Sequence, residues 1–216
     1  MIELPPGTVF NRRIPKQKFY EKRSVTAEFK RVFVEQISAI YWRNKIAPAT
    51  VNVAAGEYVS EIQVIVIRLN QPRLDKRVLQ LIDREIPYYI LFLLMYEEQV
   101  QAWIGYNEQN QGGASTFGPR AYFNTDWMPV DELSLRLDGL DMDAVYEGFI
   151  RQIAKERLEN KPGGDLKDAV VRDEHRQKLL KEIAALENKV RREKQFNIQV
   201  AFNGELKRLK KELGEL

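Results

Sequence analysis

No cysteine occurs among the 216 residues, which removes disulfides, thiolate metal sites and cysteine nucleophiles together. Histidine is nearly missing as well, His175 being the single one. No multi-histidine metal centre can be built from it, and a Ser-His-Asp triad would have only this base. It sits in a charged stretch with helical spacing, where an ordinary surface residue is expected. Long apolar runs are absent: the most apolar window, Pro87 to Met95, is far shorter than the ~20 residues a membrane span needs. The opening MIELPPGTVF has no basic stretch followed by an apolar one, so no secretory leader and a cytoplasmic protein are expected. Phosphate-cradling glycine patterns are missing too. Neither GxxxxGK(S/T) nor GxGxxG occurs, and Gly112-Gly113 has no Lys after it. The hydrolase pattern GxSxG and the metalloprotease pattern HExxH are likewise not found. Neither a metal nor a cofactor is expected, and a non-enzymatic role is favoured.

What the chain does have is a globular composition, 44% hydrophobic and 30% charged, which argues against wholesale disorder. Its charge is unevenly spread. Residues 1–50 hold ten Lys and Arg against four Asp and Glu; residues 51–164 hold eleven against seventeen; residues 165–216 hold thirteen against ten. A basic N-terminal surface on an acidic body follows.

The first twenty-odd residues, interrupted by Pro5, Pro6 and Pro15, read as an extended or looped arm. Thr26 is a candidate helix N-cap with Glu28 in the first turn. Phe29, Val32, Phe33, Ile37, Ile40 and Tyr41 then recur at spacings of three and four, which predicts one helix ending before Pro48. Strands are expected at Thr50–Val53 and Tyr58–Leu69. Pro72 and Asp75 open a second helix, and Pro87–Met95 and Val100–Tyr106 form a hairpin. Asn107–Gly118 is expected to be a loop, Arg120–Trp127 a last strand, and Met142–Leu158 a third helix. The fold class is α+β: a mixed, partly antiparallel sheet with packed helices, then a C-terminal helical hairpin or coiled-coil tail. The break at Lys161-Pro162-Gly163-Gly164 divides a domain over 1–160 from a tail over 165–216.

In that tail Leu179, Ile183, Leu186 and Val190 make one heptad-like stripe, and Phe202, Leu206, Leu209 and Leu213 another. The two are out of register, so either one long helix carries a stutter or the chain turns between Gln195 and Gly204. Asn203 and Gly204 favour the turn. Stripes this short need a partner, either the chain's own domain or another chain, and docking of another protein or a second copy is expected there.

Two constellations could carry chemistry. Arg12, Arg13, Lys16, Lys18, Lys22 and Arg23 lie close together, interleaved with Phe10, Phe19 and Tyr20; cations neutralise phosphates and aromatics stack on bases, the pattern of a nucleic-acid contact. A solvated arm with its aromatics buried is the plainer reading. The second constellation is Glu61 and Gln63, two apart on one strand face, with Glu57 upstream and Asn52 before it. Metal-dependent nucleases hold Mg²⁺ with E-x-K beside an upstream acid. Here Gln63 stands at the lysine position and Asn52 at the acid, so the cation would lose much of its ligand charge.

Short motifs in a common order carry a resemblance. They are Leu4-Pro5-Pro6; Ile14-Pro15-Lys16-Gln17-Lys18-Phe19-Tyr20; Ile40-Tyr41-Trp42 with Lys45; Thr50-Val51-Asn52; Glu61-Ile62-Gln63-Val64; Ile86-Pro87; Thr125-Asp126-Trp127; and in the tail Glu193–Asn197 and Asn203–Lys207. Over nearly the whole chain this resembles the prokaryotic family catalogued as domain of unknown function 4391. The resemblance implies accessory proteins encoded near helicases and DNA methyltransferases, in settings of defence against foreign DNA. It carries over no functional residues. The expectation is therefore an accessory protein that binds DNA, or a helicase or methyltransferase partner. A metal-dependent nuclease built on Glu61 and a structural oligomerisation module are the alternatives.

Overall fold

The structure, a computed structural model, describes residues 4–21, 25–107, 119–158 and 164–216. The chain divides into two compact units, Met1–Lys155 and Glu156–Leu216.

The first unit is built on a seven-stranded sheet. Its strands are β1 (Val9–Ile14), β2 (Ile37–Ile46), β3 (Ile62–Leu69), β4 (Tyr89–Tyr96), β5 (Gln99–Tyr106), β6 (Ala121–Asn124) and β7 (Met128–Pro129). The spatial order is β1-β2-β3-β4-β5-β6, with β7 also paired to β5. All pairs are antiparallel except β3 with β4. A parallel pair needs a crossover, and helix α4 (Lys76–Glu85) supplies it. At the centre, β3 reads IQVIVIRL and is buried at every position except Arg68, as expected of a strand covered on both faces.

Helices α1 (Gln17–Tyr20), α2 (Ala27–Gln36) and α4 share one core with the sheet. Phe33, Val78, Leu79 and Ile82 meet Ile40, Ile65, Ile67 and Phe92 there, all fully or almost fully buried. Thr26 caps α2 by accepting the Phe29 N–H at 3.3 Å, and Asp75 caps α4 by accepting that of Arg77 at 2.9 Å. Helix α5 (Met142–Ala154) packs on β5 and β6, capped by Asp141, which accepts the Ala144 N–H at 2.8 Å.

Three expectations need correction. The N-terminal arm is extended only up to the edge strand β1, and at Gln17–Tyr20 it is helical, as α1. The helix expected to run from Thr26 to Pro48 stops at Gln36, and the chain continues straight into β2. Residues 37–46, ISAIYWRNKI, are aromatic and β-branched, and pairing with both β1 and β3 outweighs an apolar spacing that suits either conformation. Thr50–Val53 is not a strand. Pro48 opens a short helix, α3 (Pro48–Val51), closed by Asn52 in the left-handed region at φ 54°; Pro is favoured at a helix's first position. The 108–118 part of the expected loop and most of the expected break at 161–164 lie outside the described residues.

The second unit is a helical hairpin of α6 (Leu166–Arg192) and α7 (Phe196–Glu215). The turn is Glu193–Gln195. Gly204 lies inside α7, exposed, with open space where a Cβ would stand. Among the described residues no helix is long and apolar enough to cross a membrane.

Candidate functional site

Strand β1 forms one edge of the sheet, and its backbone decides what it displays. The register with β2 shifts between Val9 and Arg12, and Asn11 sits at φ 45°. Such a bulge puts two residues opposite one and re-aims the side chains beside it. Phe10 consequently lies against Trp42 on β2, ring centroids 4.5 Å apart, and the Arg12 guanidinium lies over the Phe10 ring at 4.6 Å. The stack continues inward. Trp42 donates from Nε1 to Gln63 Oε1 at 2.9 Å, Gln63 donates from Nε2 to Glu61 at 2.9 Å, and Lys45 pairs with Glu61 at 2.6 Å. From Arg12 to Lys45 this is one unbroken run of contacts. Gln63 at its middle is fully buried, and its amide is satisfied from both sides.

The opposite face of the same edge has its own set. Arg13 pairs across the strands with Tyr41, whose other neighbour is Val66. Arg68, two residues past Val66 and so on the same face, holds its guanidinium over the Tyr41 ring at 5.4 Å. Arg12, Arg13, Lys18 and Arg68 are all exposed. The edge thus shows cations on both faces, each face backed by aromatic rings.

Not every cation expected to face a ligand does so. Lys16 donates to the Ile37 carbonyl at 2.6 Å, tying the start of α1 to the start of β2. Burial, with Arg13 nearby, pulls its ammonium below the ordinary range. Phe19 and Tyr20 are core residues packed around Phe33, unable to stack on a base. Lys22 and Arg23 lie outside the described residues. In place of these, the structure brings in Tyr41, Trp42, Lys45 and Arg68. Only strand register joins them to β1, so spacing along the chain gives no sign of it.

Of the residues considered for a metal site, Glu61 and Gln63 are together, and the ammonium missing from the strand is supplied by Lys45 on β2, the cross-strand partner of Gln63. Glu57 and Asn52 have other employment. Asn52 closes α3, and the segment at Glu57 is clamped by Asp143 of α5. The Asp143 carboxylate accepts the N–H groups of Glu57 at 2.6 Å and Val59 at 2.7 Å, and more weakly that of Tyr58. A side chain at Gly56 would strike that carboxylate, its Cβ 2.5 Å from Oδ1. Among the described residues, no three of His, Asp and Glu gather where a metal could sit.

Two buried tyrosines make polar contacts of their own. Tyr122 on β6 donates its hydroxyl to Asp83 on α4, and Tyr146 on α5 donates to the Gly105 carbonyl. Burial pushes Asp83 up to about 7, against the pull of the Tyr122 hydrogen bond. The Tyr122 phenol is raised by burial and then by Asp83, and Lys76 lies over its ring at 4.9 Å.

The tail residues expected to dock a partner face one another across the hairpin. Leu179, Ile183, Leu186 and Leu209 form a buried cluster, with Phe202, Leu206 and Leu213 packed against it; Val190 is half-buried. The two stripes satisfy each other within this chain.

A family model described as Domain of unknown function (DUF4391) matches residues 2–213. No curated protein matches the chain, and no solved structure does.

Proposed function

We propose that this protein, which belongs to the family Domain of unknown function (DUF4391), is a non-enzymatic DNA-binding accessory module that grips phosphate along the edge formed by β1. The observation that carries the reading is the Arg12–Phe10–Trp42 stack. A guanidinium held over an aromatic ring is ordered before any ligand arrives, so little side-chain entropy is lost when it meets a phosphate. Arg68 repeats the arrangement over Tyr41 on the other face, where Arg13 is the cross-strand partner of Tyr41. Lys18 adds an exposed cation on α1. In the setting implied by the resemblance, the DNA would be handed to or held beside a helicase or methyltransferase.

The nuclease reading has one observation in its favour, the ammonium of Lys45 beside Glu61. Against it, that carboxylate is neutralised by Lys45 and hydrogen-bonded by Gln63, which leaves little charge for a divalent cation.

Fluorescence anisotropy with labelled single-stranded and duplex oligonucleotides tests the proposal. At low salt the wild-type protein is expected to bind, and Arg12→Ala with Arg13→Ala and Arg68→Ala to weaken binding without sequence preference. Absence of wild-type binding at low salt would end the proposal.

A further inference from the structure

Two surfaces of this chain carry opposite charges beside apolar groups left in water. One is the tip of the α6–α7 hairpin. Lys189, Arg191, Arg192 and Lys194 are all exposed around the turn. The carboxylate among them, Glu193, is engaged locally: it accepts the N–H groups of Lys194 and Gln195, both at 2.8 Å. Just past the turn Phe196 is 75% exposed and Val200 53%. They are four apart and so lie on one side of α7, outside the seam formed around Leu209. The hairpin gains nothing from an aromatic ring placed there.

The other surface is the end of the sheet at the β4–β5 turn. Glu97 makes that turn at φ 52°, followed by Glu98. The Val130 N–H donates to the Glu98 carbonyl at 3.1 Å, which brings Asp131 and Glu132 alongside. Asp126 precedes Trp127 on the same approach. These five carboxylate residues are all exposed. No Lys or Arg occurs between Tyr89 and Asn107 or between Ala121 and Leu135. Tyr96 and Trp127 lean on the core yet stay only half-buried, an apolar centre inside an acidic rim.

We infer that the hairpin tip of one copy docks on the acidic sheet end of a second copy, with Phe196 and Val200 against Tyr96 and Trp127. The tip's four cations then sit among the five carboxylates. Complementary charge around an apolar centre is the anatomy of a specific protein contact. Tip and receptor are different surfaces, so the contact is heterologous: two copies exchanging tips close a dimer, and copies that cannot do so add on in a chain. The inference is independent of DNA binding by β1.

Sedimentation equilibrium of the full-length protein at low salt tests it. The average mass is expected to rise with concentration. Phe196→Asp is expected to weaken association about thirtyfold or more, as for a central anchor residue. Salt at about 1 M, where screening shortens to about 3 Å, is expected to weaken it too. Reversing the tip (Arg191→Glu, Arg192→Glu, Lys194→Glu) or the sheet end (Glu97→Lys, Glu98→Lys, Glu132→Lys) should each give a monomer. An equimolar mixture of the two reversed proteins should associate again. All these positions are exposed, and far-ultraviolet circular dichroism checks that each variant folds; Phe196→Ser replaces Phe196→Asp if the helix start is disturbed. A wild-type protein that stays monomeric at every concentration overturns the inference. So does association indifferent to Phe196, or a mixture that stays apart. If the tip-reversed protein loses DNA binding while the wild type is monomeric, the tip is a nucleic-acid surface instead.

Discussion

Asp83 offers a perturbation whose sign and size both follow from the structure. Its carboxyl is largely buried between α4 and β6, and it titrates near 7 instead of the ordinary 3.8. The groups facing it are the phenols of Tyr122 and Tyr146, with Arg84 and Lys76 acting at Tyr122. A raised carboxyl means that the folded chain keeps a proton which the unfolded chain gives up. Stability from this source is fully present below about pH 4, drains away as the pH rises toward about 7, and is flat above that. The gap corresponds to up to about 4 kcal/mol. Asp83→Asn keeps the shape and still accepts the Tyr122 hydroxyl through Oδ1, yet carries no charge at any pH. Urea unfolding of both proteins between about pH 4 and about pH 8 isolates the effect, because other titrating groups cancel in the difference. The variant is expected to be more stable than wild type by up to about 4 kcal/mol at the alkaline end, and the advantage should vanish at the acid end. Parallel pH profiles for the two proteins would refute the reasoning.

Gly204→Ala should raise the melting temperature, since the site is exposed mid-helix with open space for a Cβ and the exchange is worth about 0.5–1 kcal/mol; a loss would mean that the chain turns there after all. Leu209→Ala, in the middle of the hairpin seam, should cost about 2–5 kcal/mol in the second unit's unfolding by circular dichroism, whereas an unchanged transition would show the seam to be unformed. With Mg²⁺ or Mn²⁺ the purified protein is expected to leave single-stranded and duplex DNA intact on a gel. Cleavage that disappears in Glu61→Ala would promote the nuclease reading.

Much of the fold was legible wherever local chemistry and tertiary context agreed. The Thr26 and Asp75 caps, the β4–β5 hairpin, the start of α5 and the α+β class all follow from capping residues, turn residues and apolar runs. The failures have different causes. Ile37, Ile40 and Tyr41 fit a helical stripe, but they lie between two strands that are distant or barely visible in sequence, and pairing is non-local. Thr50-Val51-Asn52 looks β-branched, yet Pro48 and a left-handed Asn52 make it a helical turn. The hairpin in the tail was anticipated from its two out-of-phase stripes, though Asn203-Gly204 drew the turn too far along the chain; Glu193–Gln195 makes it instead. At the candidate site the exposure of Arg12, Arg13 and Lys18 follows from charge alone. Phe19 and Tyr20 misled because an aromatic beside a Lys looks the same in sequence whether it stacks on a base or fills a core. Trp42, Lys45 and Arg68 join the edge through register and a bulge at Asn11, neither of which leaves a mark in the sequence.

Phosphate contact at the β1 edge makes DNA binding depend on salt. Each phosphate neutralised on duplex DNA contributes about −0.9 to the slope of log K against log salt. Anisotropy titrations from about 50 mM to about 200 mM salt would therefore compare wild type with the Arg12→Ala, Arg13→Ala, Lys18→Ala, Arg68→Ala protein. Steep wild-type dependence is expected, with a slope shallower by about 3–4 in the variant, one step for each cation removed. Equal slopes in the two proteins would contradict this, because the β1 edge would then be touching no phosphate.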